Sequence, residues 1–305
     1  MKKPLTVFLL LSFALSWIFF LLPIPFGKPG TPARQTATVV FWAIAMWMPG
    51  LSAILVTLFV KREKFSTLRL NRLGPKRFYL WAWLLFPVLA VLTGVFTLLL
   101  GAGTLDLEFT LLRDLLAQTP GGDVLPAGLL VALQVGAALT IAPLFNIFFA
   151  LGEELGWRGF LLPELLPLGQ WKAVILVGVI WGLWHAPAVW QGLNYPTVSP
   201  WLAIPMMIVL TVLLGIILSW LYLETRSPWA PALGHGTVNA VAGLPMLFLA
   251  DVNIAFGGTL SSVIGWIPMG LFVLWLALTH RFPVVPGVTT GSPDRTASRQ
   301  DDALP

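Results

Sequence analysis

Residues 151–163 read L-G-E-E-L-G-W-R-G-F-L-L-P, and the fold class turns on how this stretch is understood. It sets two adjacent carboxylates, Glu153 and Glu154, and one guanidinium, Arg158, into a chain that is 57% hydrophobic and only 10% charged. Charged groups within apolar sequence are costly, so each needs a partner or a task. On a helix, residues four apart share a face, which pairs Glu154 with Arg158 and turns Glu153 about 100° away from both. Glu153 is thereby left free for chemistry. The competing reading is a cytoplasmic loop in which the three charges are merely solvated. Two later segments weigh against it. Residues 181–185 (W-G-L-W-H) and 235–239 (H-G-T-V-N) each set a histidine in an apolar run with a partner four residues away on the same face.

Working outward, a mean hydropathy of +0.86 and a charged fraction far below the roughly 25% of soluble domains define an all-α, polytopic membrane helix bundle. Cysteine is absent, which excludes disulfides, thiolate nucleophiles and thiolate metal ligands. The net charge of +5 does not indicate nucleic acid, because the basic residues flank apolar runs. There they set topology and contact anionic membrane lipids.

Apolar runs of spanning length predict about eight transmembrane helices, near residues 4–26, 36–60, 78–100, 127–153, 171–190, 201–223, 229–250 and 262–278. Pro49 with Gly50 is expected to kink the second, and Pro143 the fourth. An amphipathic segment over 107–116 is expected along the membrane surface before a Pro120-Gly121-Gly122 turn. The organisation is therefore N-terminal helices and loops over 1–126, a core over 127–250, a last transmembrane helix within 251–281, and a disordered tail over 282–305 rich in Pro, Gly, Ser, Thr and Asp. The 15 tryptophans fall mostly at span ends, as an interfacial belt requires. His280, beside Arg281 at such an end, reads as interfacial.

Residues 61–77 carry Lys61, Arg62, Lys64, Arg69, Arg72, Lys76 and Arg77 against Glu63 alone, whereas the link after the third span carries Asp106, Glu108, Asp114 and Asp123 against Arg113. With eight spans, 15 of the 18 basic residues fall on one side, leaving Lys28, Arg34 and Arg113 on the other. The positive-inside rule makes the first side cytoplasmic, with both termini on it, in a bacterial inner membrane. At about 1.5 Å per residue, His185 lies roughly 21 Å beyond Trp171 and His235 roughly 9 Å beyond Trp229. If the fourth helix continues to Leu162, where Pro163 ends it, Glu153 lies roughly 13 Å inside. The expectation is a cavity in the cytoplasmic half of the membrane, reached from the cytoplasm or sideways from the lipid.

A carboxylate, two imidazoles and a carboxamide gathered in an apolar site suit the activation of water. An imidazole with an asparagine amide suits an oxyanion. Together they would hydrolyse an amide without a covalent intermediate. Glu153, His185 and His235 are equally a zinc ligand set with room for a water, although no H-E-x-x-H helix is present. A serine mechanism is weaker, because Ser199 and Ser227 fall at span ends and no G-x-S-x-G occurs. Trp181 is placed to stack on His185 or to wall off the site.

In order, E-E-L-G-W-R-G-F-L-L-P, W-G-L-W-H-A-P and H-G-T-V-N resemble the three signature motifs of the CPBP family, also called Abi, which includes the CAAX prenyl endopeptidases and bacteriocin-processing or immunity proteins. The resemblance covers residues 127–250. It implies an intramembrane endopeptidase in which Glu153 is the water-activating base assisted by His185, His235 and Asn239 stabilise the oxyanion, and Glu154 and Arg158 support the site. Trp181 departs from the phenylalanine more usual there, which bears on pocket shape. The implied partner is a peptide or protein substrate, lipidated in some members. In a different class stand a non-catalytic immunity-type scaffold and a small ion-coupled transporter using the same polar cluster.

Overall fold

The structure, a computed structural model, describes residues 3–118 and 125–282. The turn expected at residues 120–122 and, beyond Phe282, the expected disordered tail lie outside the described residues.

Long apolar runs become helices because a helix satisfies its own backbone N–H and C=O groups where water is absent. The elements are α1 (Lys3–Leu21), α2 (Pro32–Leu55), α3 (Arg77–Leu99), α4 (Thr110–Ala117), α5 (Ala127–Leu139), α6 (Ile141–Glu154), α7 (Leu162–Leu165), α8 (Gln170–Trp184), α9 (Ala186–Trp190), α10 (Pro200–Thr225), α11 (Trp229–Val241) and α12 (Trp266–Leu278). Among the described residues four spans are long and apolar enough to cross a membrane, and α5 with the helical stretch Ile141–Leu168, bent by 48°, counts as a fifth if taken as one span. Among the described residues α8 and α12 are shorter apolar helices, and α11 packs with α6, α3 and α10 in the same bundle. The protein is an integral membrane protein of helical-bundle class.

Contacts at the helix termini define two ends. At the first, Lys61 meets Glu164 at 2.7 Å, Ser227 Oγ donates to the Arg72 carbonyl at 2.6 Å, and the Trp229 indole donates to the Leu70 carbonyl at 2.9 Å. Trp171 and Phe282 meet there as well, their rings tilted by 59° with centroids 4.9 Å apart. This is the basic end. At the far end, Arg34 donates to Gln191, Tyr195 OH donates to the Ser261 carbonyl at 2.8 Å, and two short antiparallel strands, β1 (Thr104–Leu105) and β2 (Leu249–Ala250), pair. Asp106, beside β1, accepts from the backbone N–H groups of Glu108 and Thr110 and so fixes the start of α4.

Several boundaries differ from the sequence expectation for identifiable reasons. The seventh helix stops at Val241 and the chain reaches β2 by a 3-10 turn over Leu244–Phe248, because Gly243 and Pro245 break the helical pattern. The fourth pass breaks at Thr140, between α5 and α6, three residues before the proline expected to bend it. Pro49 and Gly50 lie inside α2, which is not interrupted there. The amphipathic segment forms as α4, with none of its residues buried.

Candidate active site

The segment that carries Glu153 is gripped from two sides. A Cβ added to Gly152 would come within 2.7 Å of Trp47 Cα on α2, and one added to Gly236 of α11 would come within 2.8 Å of the Ile147 backbone nitrogen on α6. Only glycine permits these approaches, which place α6 between α2 and α11. Asn146 adds a hydrogen bond from Nδ2 to the Gly236 carbonyl at 3.3 Å. Beyond Glu154 the chain does not continue as the α-helix expected up to Leu162. It widens into a π-helical stretch, Leu155–Leu161, before α7. Such widened turns recur at functional sites because they re-aim side chains without ending the helix.

Glu154 and Arg158 pair as the spacing predicts, Nη1 to Oε1 at 2.7 Å, with both side chains fully inaccessible. The solvated-loop reading is thereby overturned. Arg158 Nη2 also donates to the Gly215 carbonyl of α10 at 3.4 Å, and its guanidinium lies over the Trp181 ring, 4.7 Å from the centroid. Glu154 Oε1 accepts a second bond, from His235 Nδ1 at 2.9 Å. A carboxylate can only accept here, so Nδ1 carries the proton and Nε2 is the nitrogen left available.

His185 lies where α8 ends and α9 begins, at a break enforced by Pro187 in the first turn of α9. Its Nδ1 is 2.9 Å from the Trp181 carbonyl. A carbonyl has no proton to give, so Nδ1–H is again the donor and Nε2 again the free nitrogen. Glu153 receives the Trp181 indole N–H on Oε2 at 2.6 Å. Trp181 thus touches Glu153, Arg158 and both histidines, with ring centroids 5.8 Å from His185 and 5.2 Å from His235.

Glu153, Trp181, His185, His235 and Asn239 all line one cavity of about 340 Å³ between the helices. Asn239 is the most accessible of the five, the others being buried. Sequence reasoning anticipated the members of this set. It missed the indole donor to Glu153, the carboxylate behind His235, and the contributions of Asn194 and Ser261, which line the same cavity from loops far away in sequence. Nothing in the motif spacing could have located those loop residues, since only the fold brings them near. No group of three or more His, Asp or Glu side chains among the described residues is arranged to hold a metal ion.

The direction of the cavity departs from expectation. Depth counting placed the cavity in the cytoplasmic half, reached from the cytoplasm or sideways from the lipid, but the lining also reaches Leu193, Asn194, Leu260 and Ser261, which belong to far-end loops. Toward the basic end the chain is closed by the buried residues Trp157, Arg158 and Phe160. Counting residues along a helix gives depth without telling which side is sealed.

Fold and site together define a helical integral membrane protein with a carboxylate–imidazole cluster enclosed among its helices. The family model described as type II CAAX prenyl endopeptidase Rce1-like matches residues 134–241. A CAAX prenyl protease 2 from Methanococcus maripaludis is 36% identical over 80 residues, a stretch covering 24% of this chain and 29% of that protein. Both findings support a CPBP family member, and the matched region carries all three motifs.

Proposed function

We propose that this protein is an intramembrane endopeptidase in which Glu153 activates water for attack on a peptide bond. The observation that carries this reading is the convergence of Glu153, His185, His235 and Asn239 on one cavity. Glu153 takes the proton of the water as the hydroxide equivalent attacks the carbonyl carbon, and His185 Nε2 holds the same water from the other side. The oxyanion is met by the Asn239 amide and by His235 as its imidazolium, which donates from Nε2–H to the oxyanion while Nδ1–H stays on Glu154. The proton then passes to the leaving amine. A substrate held in such a site is a peptide with an apolar or lipid-bearing flank, as the name of the Methanococcus relative suggests for that protein. Membrane lipids surround it.

Water activation by glutamate is preferred to a zinc centre built from Glu153, His185 and His235 because no group of three or more His, Asp or Glu side chains among the described residues is arranged to hold a metal ion. The test is hydrolysis by purified protein in detergent against lipidated and unlipidated peptides, with Glu153→Ala as the reference. Activity that survives Glu153→Ala rules the mechanism out. An ion flux in proteoliposomes without any hydrolysis would favour the transporter reading instead.

A further inference from the structure

The cavity and the charge distribution point in opposite directions along the bundle. Its floor is made by Glu153, Trp181, Leu214 and His235, and its outermost lining by Phe20, Leu193, Asn194, Leu260 and Ser261. Phe20 is in the last turn of α1, while Leu193 and Asn194 join α9 to α10 and Leu260 and Ser261 precede α12. All belong to the end that holds β1 and β2. No residue of the basic end lines the cavity. That end is instead shut by packing. Lys61 and Glu164 pair across it, Ser227 and Trp229 are bonded to the 70–72 backbone, and a Cβ on Gly74 would meet the Thr225 carbonyl at 2.3 Å. Beneath these contacts, residues 154–162 are buried without exception.

The positive-inside rule assigns a membrane face to each end. The seven basic residues of 61–77 are joined at the closed end by Lys172, Arg226 and Arg281, and the cavity end carries Lys28, Arg34 and Arg113 with Asp106, Glu108, Asp114 and Asp251. Basic loops are retained on the cytoplasmic side, and acidic residues contribute little to that choice. We infer that the cavity opens to the extracytoplasmic face of the membrane, and that its substrate is an apolar peptide segment presented there by an exported or membrane-anchored chain. This inference rests on the endopeptidase reading for its substrate class but not for its geometry.

The lining fits such a segment. Phe20, Leu193, Met207 and Leu260 offer apolar surface, and Asn194 and Ser261 offer hydrogen-bonding groups to an extended backbone. A folded cytosolic chain would have to pass the packed 154–162 segment to reach Glu153, whereas a chain leaving the outer leaflet meets the lip directly.

Because the chain has no cysteine, single cysteines report sidedness without background. Thr197→Cys lies on the exposed 196–199 loop, Ser261→Cys and Leu193→Cys lie on opposite lips, and Lys64→Cys lies on the basic loop. Each variant is treated with a small membrane-impermeant methanethiosulfonate in spheroplasts and in inverted inner-membrane vesicles. The expected result is modification of Thr197→Cys and of at least one lip cysteine in spheroplasts only, with Lys64→Cys modified in vesicles only. A lip adduct should abolish hydrolysis, and reduction of the adduct should restore it. Modification of Thr197→Cys from the vesicle side, or lip cysteines that stay unmodified in spheroplasts while Thr197→Cys reacts, would overturn the inference. If the labelling pattern holds and no peptide is cleaved from either side, the endopeptidase reading fails while the outward-opening geometry stands.

Discussion

The two faces of residues 153–158 are built from the same residue types and serve opposite ends. On one face Glu153 looks into a cavity of about 340 Å³ with His185, His235 and Asn239 around it. On the other, Glu154 and Arg158 are 0% exposed and spend their bonds on one another, on His235 and on the Gly215 carbonyl. One residue step along a helix turns a side chain by about 100°, and here that step separates a cavity-lining carboxylate from a packed, ion-paired one. His235 joins the faces, since its ring lines the cavity while its Nδ1 is held by the carboxylate behind it. The packed face therefore acts as the support on which the cavity face is aligned.

The sharpest way to break this comparison is to neutralise one carboxylate at a time. Glu153→Gln keeps the shape and removes the proton acceptor, so kcat should fall by about 10² to 10⁴ while the unfolding transition stays where it was. Peptide hydrolysis and thermal unfolding of the same preparation check both halves. An active Glu153→Gln would mean that the cavity face does not carry the chemistry.

Arg158→Ala tests the packed face. It strands Glu154 as a buried charge with only His235 as a partner, and removing one member of a buried pair costs about 3 to 5 kcal/mol. Denaturant unfolding in detergent should show the loss, and activity should fall with it as His235 loses its alignment. Equal stability of Arg158→Ala and wild type would show that the pair contributes nothing to holding the segment.

The contrast between these faces was legible in the sequence because it depends on helical phase. Glu154 and Arg158 are four apart, Glu153 is not in register with them, and both histidines sit in apolar runs. What could not be read has a common physical cause: it depends on where backbones turn or how closely they approach. The π-helical widening over Leu155–Leu161, the approach of α6 to α2 and α11 at Gly152 and Gly236, and the strand Leu249–Ala250 where a helix was expected are all of this kind. The reach of the cavity lining to the loop residues Asn194 and Ser261 belongs with them, since it depends on how the chain packs and not on its composition.

Trp181 offers a finer test of the cavity face. Its indole N–H donates to Glu153 at 2.6 Å, and a phenylalanine in its place would keep an aromatic ring while removing that donor. Hydrogen bonds to charged groups contribute about 1.5 to 3 kcal/mol, so Trp181→Phe should lower kcat by roughly 10- to 100-fold with KM little changed. Stopped assays over a substrate range separate the two constants. A change confined to KM would place Trp181 in the pocket wall and not in the alignment of Glu153.

The smallest expected effect comes from a third carboxylate of the same stretch, Glu164, which pairs with Lys61 at the rim of the basic end and not in the core. Lys61 retains 23% of its side-chain exposure and also meets Glu63 at 3.2 Å. Partial burial opposes its charge, but the hydrogen bonds and attraction of Glu164 and Glu63 outweigh that and raise the lysine above its usual range. A raised value in the folded state means that the stabilisation is fully present below the ordinary lysine value. It is lost as pH rises through the folded one, so the pair should hold at neutral pH and fade only above about pH 10.4. Because water and salt screen this site, Lys61→Met should cost about 1 kcal/mol or less, and the difference should shrink in high salt. Arg158→Ala should keep its larger cost at every ionic strength, because its pair is closed to solvent. Unfolding of both variants in low and high salt would measure this. If Arg158→Ala proved as salt-sensitive as Lys61→Met, the Glu154–Arg158 face would have to be reached by water, and the division between a packed face and a cavity face would not hold.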